Sequence, residues 1–233
     1  MEFHKELSNK LIEWGASFVG FSNVEKSLSD SLKKLKYSIT VGVRLSDFII
    51  DEIEDKPTYT YFHHYRTVNT LIDQITLKGQ LLIQDKGYKA LGVPASQTVN
   101  DMEDAYSGIF PHKTAAVMAG LGWIGKSGLF ISNEYGPRVR LGTILTDMNI
   151  PIKNSVLKSG CGECKECVVN CPAMAITGAS WEVGCERSSI IDAKACSDYM
   201  KEKFKHIGRG SVCGICIKVC PKGLNFIWII MGI

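Results

Sequence analysis

CGECKECVVNCP, residues 161–172, sets four cysteines at 2–2–3 spacing with a proline directly behind the fourth. Three thiolates this close together can wrap three corners of one iron–sulfur cubane, while the fourth, followed by proline, points toward a second. Such a run asks for a second set of cysteines. CGICIKVCP, residues 213–221, supplies three with the same terminal proline, and Cys196 upstream supplies the fourth. The crossed assignment predicts Cys161, Cys164, Cys167 and Cys220 on one 4Fe-4S cluster, and Cys196, Cys213, Cys216 and Cys171 on the other. Structural zinc is the competing reading, but zinc sites usually pair two C-x-x-C units across a loop. Cys185 is left over and reads as a buried or spare thiol.

All nine cysteines of the 233-residue chain fall between Cys161 and Cys220. A secreted disulfide scaffold would spread them through a short chain, so the clustering points to metal in a reducing compartment. The first residues, MEFHKELSNKLIEWGASFVGF, mix acidic with basic side chains and are amphipathic, so no signal peptide is expected and the cytoplasm is the expected location. The apolar end, FIWIIMGI (226–233), is far short of the roughly 20 residues of a membrane-spanning helix, and is expected to pack on the body or on a partner. Formal net charge is +3, and the basic excess lies in the last 81 residues. Two oxidised clusters with their thiolates carry about −2 each, which offsets that excess, so charge alone does not call for nucleic acid.

Upstream, residues 4–14 place Leu7, Leu11, Ile12 and Trp14 at helical spacing, with Gly15 as a C-terminal stop. Residues 17–21 and 38–43 are β-branched or aromatic runs that read as buried strands. A long helix is predicted over 59–86 from Val68, Leu71, Ile72, Ile75 and Leu82, stopped by Gly87. A strand at 89–93, a polar loop at 94–111, a short helix at 112–119, and turns and strands over 120–136 and 138–146 follow. Interleaved helices and strands predict a layered α/β or α+β domain over 1–152, with a cysteine-rich domain over 153–233.

The N-terminal stretch has no phosphate-binding loop, dinucleotide fingerprint or nucleophile elbow. AGLGWIGK (119–126) is glycine-rich, but its single Lys126 is not at phosphate-loop spacing; tight turns around a buried Trp123 and a ligand-facing loop both remain open. Arg138 and Arg140 alternate along a predicted strand and share a face, which suits either an anion or solvent.

HKTAAVMAGLGWIGKSGLFISNEYGPRVRLGTILTD (112–147), CGECKECVVNCPAMAI (161–176), DAKAC (192–196) and CGICIKVCP (213–221), in that order, resemble the epoxyqueuosine reductases and their shorter relatives. The resemblance covers essentially the whole chain and is strongest over 112–221. It implies an α+β chain whose N-terminal domain, like that of reductive dehalogenases and cobalamin-processing proteins, binds a cobalamin. It also implies a ferredoxin-like domain whose two 4Fe-4S clusters pass that cofactor electrons. The implied reaction is reduction of an epoxide in the tRNA base queuosine, so the implied partners are a low-potential electron donor and a small-molecule or modified-nucleoside substrate, with tRNA among the candidates. His64, near the family's Tyr-His pair, together with Lys126, Arg138 and Arg140, are the side chains expected at the cofactor. A general acid has to protonate the departing oxygen. Counting back without a gap puts Tyr106 where the family has its proton-donating aspartate, with Asp104 two residues earlier, and both are candidates. His112 and Lys113 replace a Glu-Arg pair usual in the family, and the sequence ends just after the second cysteine block, where many full-length members continue into a helical-repeat extension. Two alternatives stand beside this reading: the same architecture with another cofactor such as a flavin, and a non-catalytic electron-transfer or activator protein for a corrinoid enzyme or metalloenzyme.

Overall fold

In a computed structural model of the chain, helix α1 (Phe3–Glu13) buries Leu7 and Leu11, one turn apart, and ends where Gly15 takes φ +112°, a conformation side chains disfavour. The structure describes residues 2–97, 99, 106–152 and 156–223; Asp104 and the apolar 226–233 segment lie outside them. Strands β1 (Phe18–Asn23) and β2 (Tyr37–Arg44) pair antiparallel with Phe18 opposite Gly42. A Cβ at Gly42 would come within 2.0 Å of the Phe18 ring, so this glycine makes room for the aromatic across the ladder.

The sheet runs β1-β2-β6-β3, with β3 (Ala90–Val93) antiparallel to β6 (Val139–Thr146). Alternation along β6 gives the layers. Gly142 and Ile144 face helix α3 (Tyr59–Asp85): a Cβ at Gly142 would lie 2.3 Å from Ile72, and one at Gly79 of the helix 2.5 Å from Ile144. Thr143 and Leu145 face the other side, where helix α4 (His112–Met118) packs and Leu145 joins Val24, Val93, Phe110 and Ala115. Both faces are therefore covered, and β2, buried between its ends, reads as an unbroken run rather than an alternating one. Helix α3 ends at Gly87, φ +85°. The expected mixture of helices with a layered sheet is what forms.

The chain divides into two units, one of Met1–Arg44, Thr67–Leu121 and Arg140–Leu157, the other of Leu45–Arg66, Gly122–Val139 and Lys158–Ile233. The unit that holds the cysteines includes two earlier stretches besides the cysteine-rich one. A short segment poor in large apolar side chains cannot enclose a core alone. Here Ile50, Ile53 and Tyr61 come from one stretch, and Ile124, Phe130 and Ile131 from the other. Within this unit, helix α2 (Asp47–Asp51) packs on α8 (Ile215–Lys218), α5 (Glu166–Val169) also packs on α8, and α6 (Ala193–Lys203) packs on α7 (Lys205–Gly208). Strands β4 (Gly122–Ile124) and β5 (Phe130–Ser132) form a hairpin. No helix of the described residues is long and apolar enough to cross a membrane.

Candidate metal centre and its surroundings

Each cysteine block wraps a four-residue helix. Cys164 closes a turn onto Cys161 and Cys171 follows α5, while Cys213 and Cys220 bracket α8, which carries Cys216. Packing of α5 on α8 brings the early block against the late one. The result is crosswise. Burial pushes the Cys167 thiol up to about 11, and its further upward influences are Cys220, Cys161 and Cys164. Cys220 is raised by burial and by Cys161 and Cys164, against backbone N–H groups of Lys222 and Gly223 that favour its thiolate. In the other group burial carries Cys213 up to about 11, opposed by the Ile215 N–H and reinforced by Cys196 and Cys171. Cys196 rises through burial, Cys171 and Asp192. Cys216 rises most, through burial and then Cys213, Cys196 and Cys171, with Cys167 the weakest influence.

Two groups of four thiols are thus brought together: Cys161, Cys164, Cys167 and Cys220, and Cys171, Cys196, Cys213 and Cys216. Cys185 is among the neighbours of none of these five shifted thiols. Among the described residues no three Cys, His, Asp or Glu side chains are drawn tightly enough to grip a single metal ion. Thiols this reluctant to ionise become thiolates when a metal takes the place of the proton.

The β4–β5 hairpin lies directly under the first group. The Trp123 indole covers Gly160, where a Cβ would approach to 2.8 Å, and a Cβ at Gly125 would lie 3.3 Å from the Cys161 sulfur. Lys126, 7% exposed, donates from Nζ to the carbonyls of Gly162 at 2.6 Å and Cys164 at 3.2 Å. Gly125 therefore serves close approach to the cysteine loop, and Lys126 clamps that loop. The sequence signal was present, a glycine-rich turn ending in lysine, but its partner stood 36 residues away.

The other nominated side chains are engaged inside their own units. His64 accepts the Ser46 N–H on Nε2 at 3.0 Å, and burial lowers its pKa. Arg138 is buried and donates to Asp47 at 3.1 Å and Asp51 at 2.8 Å. Asp51 also receives Lys218 at 3.1 Å, and the Arg138 hydrogen bond, opposed by burial and aided by Lys218, holds its carboxyl below the usual range. This pair of carboxylates was not legible in the sequence as a partner for Arg138. Arg140 donates to Asn69 at 2.9 Å in the sheet unit. Tyr106 sits in a turn, 38% exposed, and Asp104 lies outside the described residues. His112 is half-buried, with Thr143 and Pro94 as its hydrogen-bond partners.

The family model of a 4Fe-4S double cluster binding domain matches residues 160–223. An epoxyqueuosine reductase of Lactococcus garvieae is 35% identical over 123 residues, 47% of this chain and 32% of that one. A tetrachloroethene reductive dehalogenase of Sulfurospirillum multivorans is 35% identical over 126 residues, 51% of this chain and 25% of that one. The chain thus spans about a third and a quarter of the lengths of these curated relatives. In fold it is similar to a catabolic reductive dehalogenase, with TM-score 0.73 and 19% identity over 93% of this chain and 31% of that one. A second reductive dehalogenase, described as carrying out B12-dependent dehalogenation, gives TM-score 0.72 and 18% identity over 95% of this chain and 33% of that one. An epoxyqueuosine reductase solved with an epoxyqueuosine-modified tRNA stem loop gives TM-score 0.61 and 17% identity over 96% and 66%.

Proposed function

We propose that this chain, which belongs to the epoxyqueuosine reductase family, is an iron–sulfur oxidoreductase that holds two 4Fe-4S clusters and delivers their electrons to an acceptor at the sheet unit. The observation that carries this reading is the crosswise grouping of eight thiols into two fours, each mixing the early and late cysteine blocks. The donor set fits the clusters: four sulfurs to each, with backbone N–H groups of Ile215, Lys222 and Gly223 directed at Cys213 and Cys220. Hydrogen bonds of that kind tune cluster potential.

For the acceptor we propose a corrinoid, on the shared fold with a dehalogenase described as B12-dependent. His64, Lys126, Arg138 and Arg140 do not fit the part of its contacts. The His64 Nε2 is taken by Ser46, and the three cations are committed to carbonyls, carboxylates and an amide of their own units. A modified nucleoside is the substrate class that the relatives favour, with tRNA its carrier and Asp104 or Tyr106 the proton donor in this proposal.

Exposed Val169, Met174 and Val183 on the cysteine unit favour a second reading, an electron-transfer or activator protein that docks on a corrinoid enzyme or metalloenzyme. Anaerobic reconstitution with iron and sulfide followed by titration with cob(II)alamin separates the two. About eight irons per chain and a base-off cobalamin spectrum are expected, with about four irons retained by Cys164→Ser. Eight irons without a cobalamin response would favour the carrier, and eight irons in Cys164→Ser would overturn the ligand grouping.

A further inference from the structure

Lys126 places an ammonium in the interior of the cysteine unit, 7% exposed, with two backbone carbonyls as its partners and no carboxylate within ion-pair reach among the described residues. Carbonyl dipoles replace only part of the water such a group gives up, so a buried cation without an opposite charge is a costly arrangement. Resting on the cluster reading above, we propose that Lys126 is the built-in counter-charge of the cluster bound by Cys161, Cys164, Cys167 and Cys220, and makes it the more easily reduced of the two.

The argument is one of position and sign. The two carbonyls that Lys126 grips belong to Gly162 and Cys164, so its charge is anchored to the loop that presents two of the four sulfurs. Lys126 is itself buried and the Gly125 backbone stands beside the Cys161 sulfur, so its charge is less screened than one at the surface. A cubane with four thiolates carries about −2 when oxidised and about −3 after one electron arrives, so a fixed positive charge favours the reduced form and raises the potential. At the other group one carboxylate acts in the opposite sense on Cys196. Asp192 caps helix α6, accepting the Ala195 N–H at 2.9 Å, and stands one turn before Cys196. Electrons entering the pair should therefore collect on the cluster beside Lys126.

The test is an anaerobic potentiometric titration of the reconstituted full chain, followed by electron paramagnetic resonance, for the parent, Lys126→Gln and Lys126→Arg. The signal absent from Cys164→Ser identifies the cluster in question. Lys126→Gln should move that midpoint to more negative potential and leave the other in place, while Lys126→Arg should restore it. Loss of about four irons in Lys126→Gln but not in Lys126→Arg would carry the same meaning, since charge would then be what retains the cluster. Unchanged midpoints in Lys126→Gln, or loss of the cluster in both variants, would overturn the role of the charge. A parent chain that binds no clusters would instead sink the reading on which the inference rests.

Discussion

His112 is held between an oxygen that only accepts and one that can donate. The Pro94 carbonyl, 3.0 Å from Nε2, requires the proton on that nitrogen, which leaves Nδ1 to accept from the Thr143 hydroxyl at 2.8 Å. Burial is the main cause that lowers its pKa to about 4, against an opposing contribution from Pro94. The folded state therefore binds this proton less readily than the unfolded chain does. Its contribution to stability is complete above the unfolded value near 6.5 and is lost as pH falls toward about 4. Between pH 7 and 5 the loss should be about 2 kcal/mol. Denaturant unfolding of the parent and His112→Gln at the two pH values checks it: the parent should lose more, and equal losses would mean the imidazole titrates normally. At this scale the cysteines were legible because their spacing is itself the chemistry. The roles of His112, Lys126 and Arg138 were not, because each is defined by a partner tens of residues away.

Between elements, the link of greatest consequence is the Asp51 carboxylate at the end of α2, shared by Arg138 and by Lys218 of α8. Asp51→Asn removes the negative charge that both cations face and leaves buried Arg138 with Asp47 as its remaining carboxylate. A loss of about 1–3 kcal/mol in stability is expected. Because α8 carries Cys216, the variant should also release iron to a chelator faster than the parent; equal release rates would show that the tether does not hold the cysteine loop. Helices α1 and α3 could be read from apolar spacing and a glycine stop, since their burial pattern is local. Helix α2 could not: five residues give too little periodicity, and packing against α8 is what holds it in place.

For the whole molecule, the division into two units predicts where metal matters. The cysteine unit combines thiols whose ionisation is disfavoured with a buried ammonium, so removal of the clusters should loosen it first. Hydrogen exchange of the apo and reconstituted chain should show protection lost in 45–66, 122–139 and 158–223, and retained in the sheet at 18–23, 37–44 and 140–146. Uniform loss would make the chain one cooperative body. The sequence alone determined the two cysteine sets, the crossed pairing expected of them, and the alternation of helices and strands, because these are written in short spacings and local periodicity. It took the tertiary structure to show that residues 45–66 and 122–139 join the cysteine unit and that Trp123, Gly125 and Lys126 meet the loop around Cys161. Those outcomes depend on which distant surfaces bury one another, and no local pattern in a chain records that.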